Sequence, residues 1–112
     1  MKTMSKTSAY KLASKHTVIT GRATSWQVIA PANSDRMNGA TRTYGNCFYY
    51  RDAVKARKRT VALLAAQLMT DVPVAAEVDY IIECTDMHDL SAKGLLDCVI
   101  AELAVSHHDF TC

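Results

Sequence analysis

From Tyr49 to Met69 the chain runs without a glycine or a proline and is rich in Ala, Leu, Lys and Arg. Such a stretch has few options besides helix, because its residues lose little freedom there and nothing interrupts the backbone ladder. A helix over about Tyr49–Met69 is therefore the first fixed point. Val54, Val61, Leu64 and Leu68 can share its apolar face, while Arg51, Lys55 and Arg59 follow at i, i+4 and i+8 and make one charged stripe. Asp71-Val-Pro73 is the expected stop.

The remaining elements are read outward from that helix. Residues 1–15 are polar and basic and are expected to form a mobile basic arm or a weak helix, with one domain over 16–112. His16–Thr20 and Ser25–Ala30 read as two strands around Thr20-Gly21-Arg22, arranged as a hairpin. Pro31–Gly45 reads as loop. Val74–Cys84 is the best strand, Thr85–Asp89 a tight connection, and Leu90–Ala104 a second helix whose Leu96, Val99, Ile100 and Leu103 recur at core-facing spacing. The order implies an α+β domain: a small mixed sheet with two packed helices.

Charge is unevenly placed. Residues 1–67 hold twelve of the thirteen Lys and Arg and only Asp35 and Asp52 as acids; residues 68–112 hold Lys93 against nine acids. No apolar run approaches the ~18 residues of a bilayer span, and the N-terminus lacks the apolar core of a signal peptide. A cytoplasmic protein with free thiols and no membrane partner is expected. Cys84-x3-His88 and His108-x3-Cys112 could together bind zinc, but the spacing is looser than in zinc fingers, so zinc is disfavoured.

Two constellations could carry chemistry. The first is acidic: Glu83, Asp86, His88, Asp89, Lys93 and Asp97 at a strand–helix junction. Carboxylates there suit Mg²⁺, and a nearby lysine could stabilise a phosphate. The bland counterpart is a helix cap at Asp89 and a solvated Lys93–Asp97 pair. The second is basic: Arg36, Arg42, Arg51, Lys55, Arg57, Lys58 and Arg59, with Tyr44, Phe48, Tyr49 and Tyr50 among them. These could neutralise phosphates and stack on bases, or form a solvated face over core aromatics.

Three segments together resemble the RusA-type Holliday-junction resolvases, small phage-derived homodimeric endonucleases. They are Ile29-Ala-Pro-Ala-Asn-Ser-Asp-Arg36, Tyr50-Arg-Asp-Ala-Val-Lys55 and Val78-Asp-Tyr-Ile-Ile-Glu-Cys84, the last leading to an acidic motif. That motif reads Asp-x-Asp-Asn-x-x-Lys-x-x-x-Asp in the family. Here Asp89, Lys93 and Asp97 match its second acid, its lysine and its trailing acid, while Met87 and Leu90 replace the first acid and the Asn. The resemblance implies a RusA-like fold lacking the family's C-terminal strands, and a homodimer acting on branched or double-stranded DNA in a bacterial host. It implies catalysis by Asp86, Asp89, Lys93 and Asp109, with Mg²⁺ held by Asp86, Asp89 and Asp109. DNA contacts would fall to Arg36, Arg42, Arg51, Lys55, Lys58 and Arg59. Because methionine offers no hard oxygen ligand, impaired catalysis with retained binding of DNA or of a protein target is the expectation. An active Mg²⁺-dependent nuclease, or an inhibitor of a host defence system, is the alternative.

Overall fold

A computed structural model describes residues 4–31, 41–69 and 91–106. The element order is α1 (Lys6–His16), β1 (Val18–Arg22), β2 (Ser25–Pro31), β3 (Thr41–Cys47), α2 (Tyr50–Leu68) and α3 (Ala92–Ser106). The expected strand at 74–84 and the 85–89 connection lie outside the described residues.

Helix α2 is the hub and touches all five of the other elements among the described residues. Its composition changes along its axis. From Thr60 to Met69 every residue is buried except half-buried Leu63 and Gln67, whereas in the first half, 50–59, only Ala53 is buried. A helix apolar on all sides belongs inside a core, and a charged one belongs in water. Here one helix is both, end to end. Val54, expected on the apolar face, is exposed at 37% because it lies in the solvated half.

Residues 6–15, expected as an arm or a weak helix, are helical. The Ser5 hydroxyl accepts a hydrogen bond from the Ser8 N–H, which caps α1. Ala9 and Ala13, at i and i+4, are fully buried where α1 packs on α2. The Met4 N–H donates to the Leu68 carbonyl at 3.0 Å, while the other end of α1 meets Arg57. The two helices therefore run antiparallel, pinned at both ends.

Among the described residues the sheet has three strands, in the order β1-β2-β3, and both pairings are antiparallel. The hairpin is present, but its turn is Ala23-Thr24, two residues beyond the glycine that suggested it. Gly21 sits inside β1 at φ +136°, where a Cβ would meet the Ser25 carbonyl oxygen at 2.0 Å. Glycine is there for a close backbone approach, not for the turn. Residues 41–45, read as loop, belong to β3, with an irregularity in its pairing at Val28/Ile29. The cause is tertiary. β2 supplies the ladder, and Gly45 lets β3 lie close to α2, since a Cβ there would be 3.1 Å from that of Ala56.

Helix α3 begins at Ala92 and is capped by Ser91, whose Oγ accepts from the Gly94 N–H at 3.0 Å. Ala92, Leu95, Leu96, Val99 and Ile100 are buried, while Lys93, Asp97 and Ala101 face water. The core cluster joins Ala9 and Ala13 of α1, Ala30 of β2, the second half of α2 and the buried face of α3.

Candidate nucleic-acid interface

At the head of α2 the chain leaves β3 through Phe48-Tyr49 and enters the helix at Tyr50. The three rings are 59%, 51% and 54% exposed, so they are not core aromatics. They form two edge-to-face pairs. Phe48 meets Tyr49, and Tyr50 meets Trp26 of β2, each with centroids 4.9 Å apart. The Arg51 guanidinium carbon lies 4.7 Å from the Tyr49 ring centroid, a cation–π contact. Trp26 is fixed in turn by its indole N–H, which donates to the Ala23 carbonyl at 3.0 Å. The fourth aromatic of the sequence cluster, Tyr44, instead turns inward and donates its hydroxyl to the Pro31 carbonyl at 2.9 Å.

Behind the rings follow the basic side chains of the solvated half of α2. Arg51 and Lys55 are exposed, whereas Lys58 and Arg59 are half-buried. Only Asp52 offsets them in the first turn. Arg51, in the first turn, places positive charge at the positive end of the helix dipole, which is unfavourable for the chain by itself. Arg42 stands in β3, and Arg36 lies outside the described residues.

Arg57 is a structural residue. Its Nε donates to the Thr17 carbonyl and its Nη2 to the Ser14 carbonyl, each at 3.0 Å. These carbonyls close α1, and the Thr17 hydroxyl donates back to Ala13 at 2.7 Å. A planar two-pronged donor at a helix C-terminus satisfies orphan carbonyls and suits the dipole. Arg57→Ala is expected to cost about 2–3 kcal/mol of stability by leaving these carbonyls without their charged donor. Arg57→Lys should recover less than half of that, because one ammonium cannot reproduce the fork. Urea unfolding of the two variants checks both statements. Equal stability of wild type and Arg57→Ala would remove the structural role.

Of the acidic constellation, the structure places Lys93 and Asp97. Both are exposed on α3. Asp97 pairs with Lys6 of α1, Nζ to Oδ1 at 2.7 Å, and so ties the N-terminal helix to the last one. Asp86, Asp89 and Asp109 lie outside the described residues, as do Cys84, His88, His108 and Cys112. Among the described residues no group of three or more His, Cys, Asp or Glu could hold a metal ion. Cys47 and Cys98 are free thiols. No described helix is long and apolar enough to cross a membrane.

An open groove of about 700 Å³ adjoins the aromatic corner. Tyr50 belongs to both. The other walls include Tyr10 and Ser14 of α1, Val18 of β1, and Val54, Arg57 and Lys58 of α2. Sequence reasoning missed Trp26 and this groove, because both depend on α1 and the hairpin closing over the head of α2. The alternation of β2 was the available signal, since it puts Trp26 on the same face as buried Val28 and Ala30. Set against known proteins, the chain matches no protein-family model, no curated protein and no solved structure.

Proposed function

We propose that this chain binds nucleic acid through the solvated half of α2 and the aromatic corner at its head. One observation carries the reading: three consecutive half-exposed rings, Phe48 to Tyr50, run directly into exposed Arg51 and Lys55, with Arg51 stacked on Tyr49. Exposed rings beside phosphate-neutralising cations are the two components that nucleic-acid surfaces combine. The motif resemblance to RusA-type resolvases points toward DNA as the polyanion. Binding rather than cleavage is the favoured activity. Asp97, the motif's trailing acid, is engaged by Lys6, and Met87 stands where a further carboxylate belongs.

Fluorescence anisotropy with a labelled four-way junction and a labelled duplex tests this reading. Expected is binding whose log affinity falls linearly with log salt, with a slope of about −2 to −4 for two to four neutralised phosphates. Gels of the same mixtures with Mg²⁺ report cleavage. Metal-dependent nicking abolished by Asp89→Asn would replace the binding reading with the nuclease one. Absence of any salt-sensitive binding would point to a protein target instead.

A further inference from the structure

We infer that the aromatic corner and the groove beside it hold unpaired bases, so that the chain selects single-stranded segments over duplex. The inference deepens the nucleic-acid reading and rests on it. Duplex DNA keeps its base faces stacked inside and offers a protein mainly its phosphates and groove edges, so rings exposed on a surface gain less from it than from an unpaired base. An unpaired base presents a free face, and stacking on an aromatic side chain is tolerant of sequence.

The geometry matches that chemistry at two adjoining places. Phe48 and Tyr49 stand edge to face and are both exposed, and Arg51 covers part of Tyr49 and brings a cation to the same spot, which leaves Phe48 as the more open ring. Tyr50 then leads into the groove, which Tyr10 and Tyr50 line alongside the exposed valines Val18 and Val54. Arg57 and Lys58 also line the groove, so it joins ring faces to cations, the combination that takes up a base together with its phosphate. The phosphates between successive bases would lie toward Arg51 and Lys55, the exposed cations of the adjoining helix. Charge complementarity thus selects a polyanionic strand over a neutral apolar peptide.

The test compares three fluorescein-labelled probes of equal length: oligo(dT), a mixed-sequence duplex, and an abasic oligomer with the same phosphates and no bases. Expected is at least tenfold tighter binding of oligo(dT) than of either other probe. The emission of Trp26, the only tryptophan, should change on oligo(dT) and not on the abasic strand. Phe48→Ala and Phe48→Leu should each weaken oligo(dT) by about five- to a hundredfold and the duplex by clearly less, with Tm shifted by no more than a few degrees for the lost ring pair. The leucine variant keeps apolar bulk and removes only the ring face. Equal, salt-sensitive affinity for all three probes would overturn this inference and leave the phosphate-binding reading standing. No binding of any probe would overturn both, and so would tight binding to neutral apolar peptides alone.

Discussion

Leu96→Ala is expected to cost about 2–5 kcal/mol of folding stability, the usual range for removing a leucine side chain from a packed core. Leu96 is fully buried, between equally buried Leu95 and Val99 in their course along α3. Its helix enters the core cluster alongside the second half of α2. A domain of this size has little stability in reserve, so the variant should lose much of its margin at 37 °C. Urea unfolding followed by far-UV circular dichroism and by Trp26 emission measures the loss. The two signals report different parts of the molecule, since the circular dichroism follows the helices and Trp26 sits on the hairpin. Because α2 touches all other elements, the two transitions should coincide in the variant as in the wild type. Glu102→Ala, on the exposed side of the same helix, should stay within about 0.5 kcal/mol. A loss under 1 kcal/mol for Leu96→Ala would mean that α3 is not docked on α2 as described.

Helical periodicity exposed α2 and α3, because each repeats its signal over several turns and tertiary contacts only reinforce it. The hairpin was visible in its β-branched runs. What escaped depended on partners far away in the chain. Residues 41–45 resemble loop by composition, and only pairing with β2 makes them strand. Gly21 suggested a turn, whereas its freedom serves a close approach to Ser25, two residues before the real turn begins. Five cations on one helix look alike in a sequence. The position of α1 decides that Arg57 holds carbonyls while Arg51 and Lys55 remain in solvent. Similarly, a Lys93–Asp97 pair is the local expectation on α3, yet Asp97 meets Lys6, ninety-one positions earlier. The aromatic cluster was legible as a cluster. Which of its rings face water was not, since Tyr44 and Tyr49 differ only in what lies beside them.

The double variant Arg51→Glu/Lys55→Glu should separate function from folding most sharply. Both side chains are exposed. In wild type the solvated half of α2 carries Arg51, Lys55, Arg57, Lys58 and Arg59 against Asp52. The reversal leaves it near neutral and turns two attractions to phosphate into repulsions. Nucleic-acid affinity is expected to fall about a hundredfold at low salt, and the salt slope to flatten by about two, one for each phosphate contact removed. Stability should move the other way or not at all. A glutamate in the first turn of a helix suits the dipole by about 0.3–1 kcal/mol, which offsets the lost contact of Arg51 with Tyr49. A stability–function opposition of this kind is what a binding surface predicts, since Arg51 stands against the helix dipole at some cost to the folded chain. If the variant instead lost stability and kept its affinity, these cations would be structural. Nucleic acid would then have to bind elsewhere, and the exposed rings at the head of α2 would need another partner.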